Sequence, residues 1–203
     1  MPRKWPCQGW QLVPVRELSG HAESPACAIR EYGLDVPLKP QDVVVMLRLL
    51  NMPVGWTIAQ LARGTAISAS EVHAALKRAL AATLYMPHAR APARANLLEF
   101  LLHGIHYAFP VERGPLTLGV PTSHAASPLR ERLRQAPADD VPVWPDPDGD
   151  TRGEAWSPLY PTVPDAARRD PWFHETLALV DALRGGRARE RTMAANELTR
   201  RLQ

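Results

Sequence analysis

The chain has 203 residues, of which 22% are charged, and carries a formal net charge of +3 with a sequence pI near 9.1. This weak positive charge permits nucleic acid as a partner without requiring it. The only cysteines, Cys7 and Cys27, are too far apart and too few for a zinc framework or a secreted disulfide scaffold. No apolar run approaches about 18 residues and no signal-peptide core is present, so a cytoplasmic protein is the expectation.

Charge and proline are unevenly distributed along the chain. Residues 38–110 contain seven Lys or Arg against three acids, whereas residues 139–154 contain six acids against one arginine. The 21 prolines, about twice the ordinary share of roughly 5%, are concentrated outside residues 38–108. The sequence therefore predicts a basic helical module at 37–110, followed by a more extended and acidic segment.

Residues 1–36 mix proline, glycine, serine and isolated charges without a sustained period. One interpretation is an arm that contacts DNA or a second subunit, for which Arg3 and Lys4 are the support. The other interpretation, favoured by the composition, is a poorly ordered terminus.

Two helices are predicted at the start of the basic module. Pro40 suits the first position of a helix and Asp42 lies in its favourable first turn. A second, short helix is predicted over Ile58–Arg63, with Thr57 as its N-cap and Gly64 as a left-handed C-cap.

A third helix is predicted behind Ser68, which forms an S-x-x-E capping box with Glu71. Its apolar residues recur at three- and four-residue spacing and predict one buried face. That face consists of Val72, Ala75, Leu76, Ala79 and Leu80, and the opposite face contains Ala69, Ser70, His73, Ala74, Lys77 and Arg78.

The order W-T-x-x-x-L-A at 56–62 followed by SASEVHAALKRAL at 68–80 resembles the winged helix-turn-helix regulators of bacteria, in particular the MarR-like type. The resemblance covers residues 38–109 and implies a mainly α fold in which helix 68–80 enters the DNA major groove. Ser70 and His73 are then the candidates for base edges. The full set of DNA-binding residues implied is Thr57, Ser68, Ala69, Ser70, His73, Lys77, Arg78, Arg90 and Arg94.

A regulator of this type is expected to be a homodimeric repressor that binds a palindromic operator with half-sites about one helical turn apart. The segment 85–94, where the wing belongs, contains two prolines and predicts little or no β wing. His88, Arg90 and Arg94 either contact DNA there or belong to an exposed linker. The next helix, Ala95–Phe109, has a broad apolar face that is typical of a dimer contact.

Residues 111–165 are rich in proline and tryptophan and predict an irregular strap, with one short helix at Leu129–Gln135. Residues 166–203 predict a helical hairpin, opened by Asp170 as N-cap and Pro171 at the first helical position. The four arginines of Arg184–Arg191 either contact nucleic acid or lie on an exposed basic side of this hairpin. The second reading is favoured by Glu190 and Glu197, which partly offset the charge.

The alternative function is a protein-interaction module, such as an antitoxin or a subunit of a defence complex, that binds its partner through 111–203. No enzyme, metal site or cofactor is predicted. The pair His103 and His106 lacks nearby Cys or carboxylate partners, and Ser123-His124 lacks a nucleophile elbow. The acidic turn at 146–150 lacks the glycine and glutamate positions of a calcium loop.

Overall fold

The computed structural model describes residues 37–133 and 141–203. The predictions made for residues 1–36, including an arm carrying Arg3 and Lys4, lie outside these described residues. So does the predicted end of the short helix at Gln135. Within the described ranges the chain is mainly helical with a small sheet, which confirms the mainly α prediction.

The three helices predicted for the basic module are present as α1 (Pro40–Leu49), α2 (Ile58–Thr65) and α3 (Ala69–Ala81). The innermost is α1, because the five residues from Val43 to Leu47 have no exposed surface. A helix that is apolar on nearly all sides is stable only when neighbours cover it. Both α2 and α3 pack against α1 and supply part of that cover.

A minimal hairpin follows α3. Its strands, β1 (Tyr85–Met86) and β2 (Ala91–Pro92), pair antiparallel, with Tyr85 opposite Pro92 and Met86 opposite Ala91. Pro87 lies in the turn and Pro92 at the last paired position. At neither position is a backbone N–H needed to continue the hydrogen bonding between the strands. The prolines therefore limit the hairpin to two residue pairs.

The helix predicted after the hairpin is interrupted. It runs as α4 (Arg94–Glu99), continues through a π-helical turn over Phe100–Gly104, and ends as α5 (Ile105–Ala108). Its apolar face was expected to contact a second subunit. Instead Leu97, Leu101 and Ile105 are fully buried against helices of the same chain.

The prediction of an irregular strap over 111–165 is wrong, because this segment contains three strands. They are β3 (Arg113–Pro121), β4 (Pro142–Pro145) and β5 (Thr151–Trp156), and each pairs with the other two in a small closed sheet. β3 is antiparallel to both partners, and β4 is parallel to β5. Between β3 and β4 lie a 3-10 turn, Ser123–Ala125, and a short helix, α6 (Leu129–Arg132).

The positions of the prolines explain how a proline-rich segment forms strands. Pro121, Pro142 and Pro145 occupy strand ends, and Pro115 lies where the β3–β5 register shifts between Arg113 and Leu116. Proline is tolerated at strand ends and bulges because no ladder donor is needed there.

Three further helices complete the described chain: α7 (Val163–Arg169), α8 (Pro171–Gly185) and α9 (Ala188–Leu202). As predicted, the Asp170 side chain caps α8 by accepting from the Phe173 N–H, with an N···O distance of 3.1 Å. α8 and α9 pack against each other and also cover α1, α4 and α5. Their apolar side chains belong to the same hydrophobic cluster as those of α1 and α3.

A buried carboxylate joins the sheet to α8. The Asp181 carboxylate accepts hydrogen bonds from the Thr122 hydroxyl (2.9 Å), Trp144 Nε1 (2.6 Å) and the Arg184 guanidinium (2.5 Å). Arg184 also donates to the Phe109 carbonyl at 2.8 Å. Arg184 is therefore an internal residue, which removes it from the candidates for nucleic-acid contact.

Candidate nucleic-acid interface

The turn between α2 and α3 is fixed by caps at both sides. Thr57 caps α2 by accepting from the Gln60 N–H (3.2 Å), while Gln60 Oε1 accepts from the Thr57 N–H (2.8 Å). The C-cap expected at Gly64 is instead Ala66, whose φ of +54° is left-handed. The Ile67 N–H then donates to the Ala62 carbonyl at 3.2 Å and closes the turn.

Gly64 has a different role, because it lies inside α2 and touches the side chain of Arg48. A Cβ at this position would come within 2.6 Å of Arg48 Nε. Glycine here leaves room for the close approach of an arginine from α1 and does not serve a left-handed conformation.

Ser68 caps α3 as predicted, with its hydroxyl accepting from the Glu71 N–H at 3.3 Å. The second hydrogen bond of the predicted capping box, from the Ser68 N–H to the Glu71 carboxylate, is not found among the described residues. The Glu71 carboxylate instead accepts from Arg78 (2.5 Å) and from the Gln41 side-chain amide (3.1 Å). The hydrogen bond from Arg78 and, to a lesser extent, the one from Gln41 lower the pKa of Glu71 despite its partial burial.

Arg78 is the one predicted DNA-binding residue on α3 that the structure buries. Its side chain is only 7% exposed, and Nε donates to both oxygens of Asp42, at 3.0 and 2.8 Å. A second nitrogen contacts Asp42 at 2.6 Å as well as Glu71. The hydrogen bond to Asp42 is the main reason that the pKa of Arg78 is raised. The prediction that Arg78 faces the groove is therefore wrong.

The exposed side of α3 contains the remaining predicted residues. Ser68, Ala69, Ser70, His73 and Lys77 are all exposed. His73 and Lys77 have no hydrogen bond or ion pair to another described residue, and the only carboxylate of α3 is committed to Arg78. Leu80, which the pattern assigned to the buried face, is 42% exposed and lies three residues beyond Lys77. The surface is thus polar and cationic at its centre and apolar at its end.

Arg90 links the hairpin to the turn before α2. Its guanidinium lies 4.7 Å from the centre of the Trp56 ring and donates to the Trp56 carbonyl at 2.8 Å. In return, Trp56 Nε1 donates to the Arg90 carbonyl at 2.8 Å. Arg90 is therefore primarily a clamp for the hairpin, while its outer surface stays exposed.

The other residues predicted around the hairpin are less constrained. His88 is exposed in the hairpin turn, and Arg94 is exposed at the start of α4. Arg94 makes only a long contact of 3.5 Å to the Arg201 carbonyl. Of the two histidines considered as a metal pair, His106 in α5 has its Nδ1 2.6 Å from the Arg184 carbonyl, whereas His103 in the π-helical turn is exposed. No group of three or more potential metal ligands occurs within residues 37–133 and 141–203.

Two exposed residues of α2, Gln60 and Arg63, were not among the predicted contacts. The T-x-x-Q spacing of Thr57 and Gln60 is the signal that could have identified Gln60, because it is a capping box. The sequence carries no comparable signal for Arg63.

Comparison of the chain with protein-family models, with curated proteins and with solved structures gave no match. Among the described helices, none has the length and apolar character needed to cross a membrane.

Proposed function

We propose that this protein is a sequence-specific DNA-binding regulator that inserts α3 into the major groove. The observation that carries the proposal is the exposed side of α3, where Ser70, His73 and Lys77 stand free of carboxylates on a helix anchored from behind by Asp42 and Arg78. A helix presented in this way matches what groove recognition requires: free polar side chains outside and a rigid support inside.

The residues divide by chemistry. Ser70 and His73, close to the start of α3, are suited to hydrogen bonding with base edges. Lys77, one turn further on, and Arg94 are suited to neutralising phosphates. Thr57 and Ser68 are both helix caps, and each accepts from one N–H of its helix. Their proposed contribution is to fix the starts of α2 and α3, where the remaining N–H groups can contact the DNA phosphates. The β1–β2 hairpin follows α3 and carries His88 in its turn, and in the proposed complex it would serve as a minimal wing.

Dimerisation, which a palindromic operator requires, is a separate part of the proposal. The apolar face that predicted it, on α4 and α5, is covered by α8 and α9 of the same chain. Sedimentation equilibrium of the protein alone and bound to a single selected site distinguishes one bound chain from two.

The test is an enrichment of random duplexes on the full-length protein, followed by anisotropy titrations of the selected site at several salt concentrations. We expect a consensus to emerge and Lys77→Ala to weaken binding to all duplexes while lowering the salt slope by about one. We expect His73→Ala to reduce discrimination between the consensus and altered sites by about tenfold. Arg152→Ala, a change of an exposed arginine on β5, is the matched control. If no duplex is enriched and binding is independent of Lys77, the proposal fails.

A protein-binding role for the region after residue 110 is the second candidate. The observation in its favour is a pair of apolar side chains on β3, Leu116 and Leu118, which are 49% and 51% exposed. Exposed leucines side by side on a strand are more common at interfaces than on a solvated surface. Co-purification from the native host with wild-type protein and with Leu116→Ser/Leu118→Ser tests it. A partner recovered in stoichiometric amount and lost with the double variant supports this role, and equal recovery with both proteins refutes it.

A further inference from the structure

An open recess of about 450 Å³ lies between the end of α1, the side of α2 and the end of α7. Three arginines line it and no carboxylate does. The lining residues are Arg48, Met52, Pro53, Gln60, Arg63, Gly64 and Arg169. Arg48 and Arg169 pair with Asp170 and Asp165, which lie outside the lining, so the uncompensated positive charge in the recess is that of Arg63. A concave surface with such a charge and no acid in its lining attracts anions.

Arg48 forms the fixed wall of the recess. Its guanidinium pairs with Asp170 and lies 5.4 Å from the centre of the Phe173 ring. Burial alone would raise the pKa of Asp170, but the hydrogen bond from Arg48 and the backbone bond from Phe173 outweigh it, so this pKa is lowered. The Nε of Arg48, packed against Gly64, is buried and has no hydrogen-bond partner. Arg48 is thus held in place by Asp170 and Phe173, so it shapes the wall of the recess, and its buried Nε is not exposed to a ligand.

The other polar residues supply accessible donors. Arg63 is exposed and makes no hydrogen bond or ion pair with any other residue in the described ranges. Gln60 uses its side-chain oxygen to accept from the Thr57 N–H, which leaves its amide NH₂ as the free group. Arg169 pairs with Asp165 at 2.6 Å, yet its side chain remains 61% exposed.

We propose that this recess binds a phosphate group, with Arg63 as the principal ligand and Gln60, Arg48 and Arg169 around it. Guanidinium groups match phosphate oxygens in geometry and charge, and Arg63 has no competing acid to displace. Two sources share this chemistry: a phosphodiester of bound DNA and a free phosphorylated small molecule. The first source rests on the proposed function, since the first helix of a helix-turn-helix crosses the DNA backbone.

The first arm of the test uses inorganic phosphate. Full-length ¹⁵N-labelled protein is titrated with phosphate at constant ionic strength, and the arginine Nε–H and backbone signals are followed. We expect saturable shifts near Arg48 and Arg63, and about tenfold weaker binding for Arg63→Gln, the loss expected for one charge-assisted hydrogen bond. Arg152→Gln, which removes an equal charge on β5, should bind phosphate as the wild type does. Shifts that do not saturate, or that are equal in Arg63→Gln and wild type, overturn the phosphate site.

The second arm measures the salt dependence of duplex binding with the same variants. If Arg63→Gln weakens DNA binding and lowers the salt slope by about one, the phosphate belongs to the DNA backbone. If phosphate binding depends on Arg63 but DNA binding does not, the ligand is a free phosphorylated molecule and a DNA source is rejected. If the wild type binds no DNA yet binds phosphate through Arg63, the proposed function fails and the phosphate site stands. If DNA binds normally and phosphate does not, the function stands and the site is refuted.

Discussion

Arg78 is expected to stabilise the fold, whereas its neighbour Lys77 is expected to affect only DNA binding. The substitution Arg78→Met keeps a long apolar stem but removes the guanidinium from Asp42, which has no exposed surface. Asp42 would retain the Lys39 N–H as a hydrogen-bond donor at 2.8 Å, but it would lose its counter-ion. Glu71 is 30% exposed, so water can solvate it in the variant.

The magnitude follows from the burial of the pair. Removing one partner of a buried ion pair costs about 3–5 kcal/mol, because the other charge remains uncompensated. Domains are stable by about 5–15 kcal/mol, so a loss of this size consumes a large part of the total. With a urea dependence of roughly 2–3 kcal/mol per M, the unfolding midpoint should fall by about 1–2.5 M. The assay is equilibrium urea unfolding followed by circular dichroism and tryptophan fluorescence.

Two controls make the measurement decisive. Lys77→Met, at the adjacent exposed position, should leave the free energy of unfolding within about 0.5 kcal/mol of wild type. The double variant Asp42→Asn/Arg78→Met removes the unpaired charge and should recover part of the loss, which a double-mutant cycle quantifies. If Arg78→Met lies within 1 kcal/mol of wild type at neutral pH, a buried and stabilising Arg78–Asp42 pair is refuted.

Two further outcomes are expected. Gly64→Ala should destabilise the protein by up to about 2 kcal/mol in urea unfolding, because displacing Arg48 from Asp170 and Phe173 costs about 1–3 kcal/mol and the helix propensity of alanine returns about 1 kcal/mol. A midpoint above that of wild type would contradict this contact. Glu197 has its pKa lowered from 4.5 to about 2, chiefly by the hydrogen bond from Arg200. Its stabilisation is present above pH 4.5 and is lost as pH falls towards 2; because the Arg200 side chain is 70% exposed and its charge is screened by water, the loss is at most about 3 kcal/mol. The midpoint temperature of thermal unfolding should therefore fall less steeply below pH 4.5 in Glu197→Gln than in the wild type. Parallel plots of midpoint temperature against pH for the two proteins would exclude this role.

Local signals in the sequence predicted four helix starts, whereas α7, which begins inside the predicted strap, was not predicted. Thr57, Ser68 and Asp170 mark the starts of α2, α3 and α8, because their side chains accept from the first N–H groups of each helix. Pro40 marks the start of α1 because it has no N–H to leave unsatisfied there. The left-handed residue that ends α2 is Ala66, whereas the sequence predicts Gly64. Gly64 is the usual choice for that conformation, and nothing local indicates that Ala66 adopts it while Gly64 accommodates an arginine 16 positions earlier in the chain.

The burial of Arg78 could not be derived from α3 alone, since its partner Asp42 lies on another helix. One partial signal was available. Adjacent helical residues point about 100° apart, so Lys77 and Arg78 cannot both face the centre of one groove. Glu71 and Arg78 are seven residues apart and lie almost on one line along the helix, which favours an ion pair on the flank of α3. The same argument applies to Asp181, whose partners come from β4 and the end of β3 as well as from α8.

The density of prolines over residues 111–165 does not by itself distinguish an irregular segment from short strands. Each proline removes only one donor, and what matters is whether that donor faces another strand. Pro115 lies at a register shift, and the other strand prolines lie at the ends of β3 and β4. The tryptophans gave the opposite signal: Trp144 and Trp156 are 1% and 2% exposed and form the inner side of the sheet.

The count of Lys and Arg residues in the basic module overstates the number of positive charges that are free to contact DNA phosphates. Of its seven Lys and Arg residues, Arg48, Arg78 and Arg90 are occupied by Asp170, Asp42 and Trp56. The exposed remainder consists of four residues, Lys39, Arg63, Lys77 and Arg94. Neutralising at most four phosphates per chain gives a salt slope of about −3 to −4 for one chain on a duplex. A measured slope near −6 per chain would mean that cations outside this module also touch the DNA, and the exposed arginines Arg189 and Arg191 of α9 would be the next to replace.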